Sequence, residues 1–491
     1  MSGARGRDQP GMQASAKTIR DLDTYRLAPG DVVAAVGGNA PKIWSLLNAT
    51  AAFGLVLAVV NEAWSTPHLK HLLSKLGPRL VVGYGNGPAQ RPYAKFVQCW
   101  LSDEGTLDPN PDHEDNDRPA RGAPQLEENV DGALIFSTSG STGEPKCVVS
   151  TPKNRAFCTS TIGKYLGLRE GQCIVNALSP SFDYGFYQGL LAQEFGLELD
   201  LVASAQLTGE ILERIRRRQR IVLPLTPALA ARLCRAIKPD ENFPAVEIVS
   251  LTGGGTSLGL RQRLAAAFPR ANIFAMYGLT ECKRVAYLDP VLFLAKPNSC
   301  GREMDGVTGS IVDAAENPVP AGAIGELTIT GQNVCPGYWA DPVTTRLRFR
   351  TGPDGNRVLF TGDYFRRDKD GYLEFIGRAD KLVKVRDELV SLGTIETELR
   401  RSKLVLDLTL RMGVDDLGIP LLSALVVPQG PWVSENEILK SFRQYISRPG
   451  HLPHKILLLN ELPVNAHGKH DDLKGADGMS EALASPVPIS L

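Results

Sequence analysis

The chain lacks paired cysteines: its eight are scattered, with no C-x-x-C and no Cys/His cluster. Thiols so placed in a chain of this length are expected to be reduced, mostly buried and cytoplasmic. There is no excess of charge of either sign, since Lys+Arg and Asp+Glu both number 54. That balance gives no support for nucleic acid or a membrane surface as a bulk partner. No long hydrophobic run exists either; the greasiest stretch, 51–60, is too short to cross a bilayer and reads as core. Arg5, Arg7 and Asp8 are followed by no apolar segment, so no secretory signal is expected. No internal repeat is found. What is there, 22% charged and 43% hydrophobic over 491 residues, is ordinary globular composition with room for more than one domain.

Residues 1–28 read as a frayed N-terminus with a short helix near 18–25. An alternation follows: strand 31–36, helix 40–53, strand 55–60, a helix opened by Ser65-Thr66-Pro67, and strand 79–82. This β-α-β-α-β order is that of a parallel sheet covered by helices. A Pro/Asp/Asn/Glu-rich connection spans 108–128. The alternation resumes with strand 221–223, helix 228–237, strand 247–251, helix 258–267 and strand 273–276. Beyond 307 come short strands with Gly/Pro turns at 309–312, 325–329 and 358–360. From 380 a small α/β unit is expected, with strand 422–427, helix 435–445 and strand 455–459. The fold class is therefore α/β: a large N-terminal domain (29–379) of parallel-type sheets covered by helices plus a small β-subdomain. A small, mobile C-terminal α+β domain (380–474) and a disordered tail (475–491) complete it.

The most informative stretch is 134–148, LIFSTSGSTGEPKCV. An apolar strand enters a loop of Ser137, Thr138, Ser139, Gly140, Ser141, Thr142 and Gly143, closed by Pro145 and Lys146. Small residues let backbone N–H groups and hydroxyls turn around an anion, and the lysine adds fixed positive charge. The loop suits a nucleotide's phosphates. It is not a Walker loop, because Glu144 and Pro145 separate Gly143 from Lys146. A flexible surface linker is disfavoured by the buried-type strand that leads into it.

Further stretches narrow this. Ala275-Met276-Tyr277-Gly278-Leu279-Thr280-Glu281 puts an aromatic, a hydroxyl and a carboxylate at the end of a core strand, where parallel sheets hold ligands. There Tyr277 can stack on a base, Thr280 donate to a phosphate and Glu281 hold Mg²⁺. Gly337-Tyr338-Trp339 reads as a structural aromatic anchor. Thr361-Gly362-Asp363 places a carboxylate just after a strand, with the two acceptors a 2′,3′-diol needs. Gly377-Arg378-Ala379-Asp380 stands where the main body ends, and His467-Gly468-Lys469 presents a lysine near the end of the chain.

This order resembles the adenylate-forming superfamily: acyl- and aryl-CoA ligases, adenylation domains of nonribosomal peptide synthetases, and luciferases. The resemblance runs from about residue 30 to 472 on S-T-S-G-S-T-G-E-P-K, Y-G-L-T-E, T-G-D and G-R-A-D. It implies attack of a small carboxylic acid on the α-phosphate of ATP, with Mg²⁺, giving acyl-adenylate and pyrophosphate. Transfer to CoA or to a phosphopantetheine carrier protein follows after the C-terminal domain turns. By resemblance, Thr138, Ser139, Gly140, Ser141, Thr142, Gly143 and Lys146 hold the β- and γ-phosphates. Gly253, Gly254 and Gly255 lie against adenine and Tyr277 stacks on it. Thr280 contacts the α-phosphate, Glu281 binds the metal, Asp363 and Arg378 bind ribose, Asp380 is the hinge and Lys469 the catalytic lysine.

Three departures stand out. The family's K-x-R-G is here Lys384-Val385-Arg386-Asp387. The aspartate either hinders approach of a thiol arm or is a tolerated loop change. G-E-I-E reads Gly393-Thr394-Ile395-Glu396, a surface change, and N-G-K reads His467-Gly468-Lys469, which keeps the glycine and the lysine. Asp183, in Pro180-Ser181-Phe182-Asp183-Tyr184-Gly185, stands where amino-acid-activating members pair an aspartate with the substrate's ammonium; otherwise it caps the following helix. Lys283 and Arg284 read first as a solvated face, and second as cations in reach of phosphate or an acidic substrate. No carrier or condensation module is seen, so a carrier protein is expected in trans. The alternatives to a thiol ligase are an amide-forming ligase, which Asp387 suits better, and a nucleotide-binding protein without catalysis, against which Lys469, Glu281 and Asp363 argue.

Overall fold

The computed structural model describes residues 16–62, 64–84, 93–111, 113, 129–139, 145–203, 207–238, 240–352, 354–378, 382–385, 388–414, 420–446 and 451–463. The expected β-α-β-α-β start is present. Strands Val32–Gly37, Val56–Asn61 and Leu80–Tyr84 are wholly buried and pair in parallel, Val32–Gly37 lying between the other two. Helices Lys42–Ala52 and Thr66–Leu76 make the crossovers, the second opened by proline in its first turn and closed at left-handed Gly77. The short helix Ala16–Thr24 precedes them. Strand Leu134–Ser139 adds to this sheet beside Val56–Asn61, and Pro145–Ser150 returns antiparallel to it. Residues 137–139 and 145–146 therefore belong to a hairpin. The phosphate-type loop is narrower than the sequence implied, because strand hydrogen bonding continues through Ser137 and Thr138.

A second sheet has two characters. Cys173–Asn176, Ile221–Leu225, Val246–Leu251 and Asn272–Tyr277 run parallel, with Glu198–Leu201 at the edge. Asn272–Tyr277 then pairs antiparallel with Ala286–Tyr287, and the sheet continues through Ser299–Glu303, Leu373–Arg378, Arg357–Arg367, Ile324–Gly331 and Val307–Val312. The short-stranded β region thus extends this sheet. Asn272–Tyr277 is the seam between the two halves. Arg357–Arg367 is far longer than the 358–360 expected, so Asp363 lies within a strand and not after one. The helices Lys42–Ala52 and Asp183–Phe195 meet between the sheets: Trp44 Nε1 donates to the Phe186 carbonyl at 2.9 Å, and Gly189, where a Cβ would strike the indole, admits the ring.

The C-terminal unit pairs Val405–Val414 with Pro420–Pro428 antiparallel, and the latter with Lys455–Leu458 in parallel. Helices Leu392–Leu399 and Glu435–Arg443 accompany it, the second held by a Ser434/Glu437 capping box. It touches the main body through Ser257, whose hydroxyl lies 2.6 Å and 2.8 Å from the Val405 and Leu406 carbonyls. Residues 379–381, at the expected boundary, lie outside the described residues, as do 1–15 and 464–491. All eight cysteines are free thiols and seven are buried, as expected.

Candidate active site

The end of Asn272–Tyr277 gathers most of the polar groups singled out above. Along Arg357–Arg367 the two-residue alternation of a strand turns Leu359, Thr361, Asp363 and Phe365 inward, so the aspartate is carried into the core face. Gly362, at φ +68°, admits the backbone turn before it and lies against the Arg348 guanidinium, which donates to the Thr361 carbonyl. Asp363 is 3% exposed and faces Arg378 across the strand pair. Its Oδ2 accepts from the Tyr277 hydroxyl at 2.7 Å, whereas Oδ1 is buried without a hydrogen bond, 3.9 Å from Arg378 Nε. Burial raises the Asp363 carboxyl above its ordinary range, against the opposing pull of Arg378 and Tyr277. Burial and the neighbouring Asp363 push the Tyr277 hydroxyl well up. The Tyr277 ring meets Phe365 edge-on at 4.7 Å.

Glu281 follows in the turn after the strand. Its Oε1 accepts from the Tyr338 hydroxyl at 2.8 Å. Tyr338 sits on Gly337–Tyr338, which adds to Pro145–Ser150 by pairing with Val148, and Lys146 Nζ is 5.7 Å from the Tyr338 ring. Two sheets therefore bring Lys146 and Glu281 to one tyrosine. Burial lowers the Lys146 ammonium, helped by Arg348 and Arg378 and opposed by Glu281 and Asp341. Lys146 stands opposite Thr138 in the hairpin. Thr280 is buried, and its carbonyl accepts from Lys283 Nζ at 2.9 Å. Gly253, at φ +94°, Gly254 and Gly255 follow Val246–Leu251, with Pro227 packed by Gly254 and Arg400 by Gly255.

Asp183 is 4% exposed and is the first residue of its helix; Phe182 holds the cap position, so the reading of Asp183 as a cap does not stand. Lys283 and Arg284 are 1% and 6% exposed, which overturns the solvated face. Asn333 is the reason: its amide donates to the carbonyls of Cys282 and Arg284 and holds the turn folded inward. Tyr338 and Arg348 were missed as functional neighbours. Only the aromatic Tyr338-Trp339 pair carried a signal, and it was read as structural; Trp339, fully buried with Nε1 donating to the Leu76 carbonyl, does fit that reading. Gly140, Ser141, Thr142, Gly143, the Ser139 side chain, Asp380, Asp387 and Lys469 lie outside the described residues.

The groups present fit a nucleotide and a metal. Asp363 Oδ1 is a buried acceptor without a hydrogen-bond donor, the chemistry that a ribose hydroxyl satisfies. Among the described residues no group of three or more His, Cys, Asp or Glu could hold a metal, so a cation at Glu281 must bring most of its oxygen ligands with it, as phosphate-bound Mg²⁺ does.

Residues 16–339 match the family described as AMP-binding enzyme. The chain belongs to this adenylate-forming family. A stretch of 349 residues, 69% of the chain and 4% of the relative, is 33% identical to "Probable non-canonical nonribosomal peptide synthetase (NRPS) CymA" of Salinispora arenicola. Novobiocin biosynthesis protein H of Streptomyces niveus is 27% identical over 94% of the chain and 76% of its own length. The chain thus spans most of one relative and a small fraction of the other. O-succinylbenzoate coenzyme A synthetase (MenE) of Bacillus subtilis, solved with ATP and magnesium ion, superposes with a TM-score of 0.73 at 21% identity, covering 92% of this chain and 91% of that one. That likeness establishes the fold. No helix among the described residues is long and apolar enough to cross a membrane.

Proposed function

We propose that this chain activates a small carboxylic acid with ATP and Mg²⁺ as the acyl-adenylate, releasing pyrophosphate, and transfers the acyl group to the thiol of CoA or of a carrier protein acting in trans. The observation that carries the reading is the convergence of Lys146, Glu281 and the Tyr277–Asp363–Arg378 set at the seam of the second sheet. Asp363 and Arg378 take the ribose, with one carboxylate oxygen already used by Tyr277 and the other available to a hydroxyl. Tyr277 and Gly253–Gly255 flank the base. Lys146, with Thr138, Ser139, Gly140, Ser141, Thr142 and Gly143, holds the β- and γ-phosphates, Thr280 the α-phosphate and Glu281 the metal. Bound Mg²⁺ supplies neutralising charge to the phosphate oxygens. Asp183 faces the acid substrate, Lys469 stabilises the charge that builds as the carboxylate oxygen bonds to the α-phosphorus and the bond to pyrophosphate breaks, and Asp380 is the hinge. The working compartment is the cytoplasm.

Acid-dependent ATP–pyrophosphate exchange tests this reading. Lys469→Ala should lower exchange about 10²–10³-fold with the fold intact, as loss of an oxyanion donor does elsewhere. Near-normal exchange would remove Lys469 from the chemistry. Asp387 favours an amine acceptor as a second reading. Offering CoA, a carrier protein and free amines to the preformed adenylate separates the two.

A further inference from the structure

Lys283 and Arg284 are used by none of the steps above, yet both are buried directly beside the Thr280–Glu281 turn. Lys283 adopts a left-handed backbone, φ +60°, that residues with a Cβ seldom take, and the two Asn333 hydrogen bonds at 3.0 Å and 2.9 Å hold it there. Its ammonium lies 4.8 Å from the Phe136 ring centroid. The Arg284 guanidinium lies 4.5 Å from the Tyr184 ring centroid, and its Nη1 donates to the Lys283 carbonyl at 3.0 Å. Its Nε is buried with no hydrogen-bond partner. Tyr184 is in turn fixed by Ser250, at the carboxyl end of Val246–Leu251, through contacts of 2.7 Å. Arg284 therefore stands between the Thr280–Glu281 turn and the helix that begins with Asp183, on the ligand side of the sheet.

Among the described residues neither cation has a carboxylate within ion-pair distance. Asp183 shares their neighbourhood around Cys158. Glu281 also stands with Lys283 and Asp183 around Cys335, but it is the metal's ligand in the reading above, which leaves Arg284 a buried cation whose Nε donor is unfilled. Such a charge, with an unfilled donor, is costly unless an anion arrives to meet it, and a guanidinium fork matches a carboxylate.

We propose that the acid activated here carries a second carboxylate, remote from the one that reacts, and that Arg284 receives it with Lys283 as supporting charge. This rests on the reading of the site as an acid-adenylating one.

The test is pyrophosphate exchange by the full-length wild type on matched pairs: succinate, glutarate, phthalate, aspartate and glutamate against their monoamides. At least one diacid should exceed its monoamide in kcat/KM by about 10² or more, since a site built to bind a polar group rejects the analogue that lacks it. Arg284→Gln should bring that ratio within about fivefold, mainly through the KM of the diacid, while Arg284→Lys should fall between the two, because a lysine retains the charge but not the fork. The wild-type ratio stands without any variant, so a misfolded variant does not blunt the test. Exchange that is best with monoamides, or a ratio unchanged in Arg284→Gln, overturns the proposal and leaves acid adenylation standing. No exchange with any acid, these or simple monoacids, overturns the adenylation reading and the proposal with it.

Discussion

Asp363 shows how one residue's backbone position sets its chemistry. A strand's alternation carries it to the core face, where desolvation favours the protonated form and Tyr277 and Arg378 only partly offset it. A raised folded-state pKa means that the folded chain holds a proton that the unfolded chain has released. Wild-type stability is therefore lost as pH rises from the ordinary value of 3.8 through the raised one. Asn does not titrate, so the stability of Asp363→Asn relative to wild type should climb with pH across that window and then level off in urea unfolding. A difference that falls with pH would contradict the sign. The aspartate's importance was visible in T-G-D; its burial was not, because the strand was read as ending before it. Lys283 and Arg284 teach the same lesson more sharply. Charge in a sequence signals exposure, and only the Asn333 clamp, 49 residues from Arg284, reverses that.

Among the elements, those with clean periodicity were legible. Helix Leu258–Ala267 was read to the residue, and the first three strands to within two. Between 152 and 217 the sequence signals only a helix after Asp183. Helix Pro152–Leu166 buries Asn154, Thr159 and Gly163 along with Cys158, Ile162 and Leu166, so polar and small residues interrupt the apolar stripe on its inner face. Helix Asp183–Phe195 is buried on nearly every side, which erases the contrast that periodicity needs. Strand Val405–Val414, also unread, supplies the partner that makes the C-terminal hairpin. Its first carbonyls meet Ser257, whose Oγ also accepts from Leu260 N at 2.9 Å as the cap of Leu258–Ala267. Ser257→Ala should cost about 1 kcal/mol in urea unfolding, the usual worth of such a cap, and speed hydrogen exchange at the Leu260 amide. An unchanged unfolding midpoint would show that the contact contributes nothing.

For the whole molecule, two sheets of different origin meet at one site. The hairpin of the first brings Lys146, the seam of the second brings Tyr277 and Glu281, and the antiparallel extension brings Asp363 and Arg378. Tyr338 bridges the first two through Glu281 and the Lys146 ammonium. The motif order announced the residues; the bridge needed the fold, because Tyr338 and Glu281 are 57 positions apart. The central claim is that the acid's carboxylate oxygen becomes bonded to the α-phosphorus of ATP. An acid labelled with ¹⁸O in its carboxylate, chosen from those that support exchange, tests it directly when turned over with ATP and an acceptor. Mass spectrometry of the nucleotide should find one labelled oxygen in AMP. Label in inorganic phosphate alongside ADP, or AMP formed without label, would contradict the account.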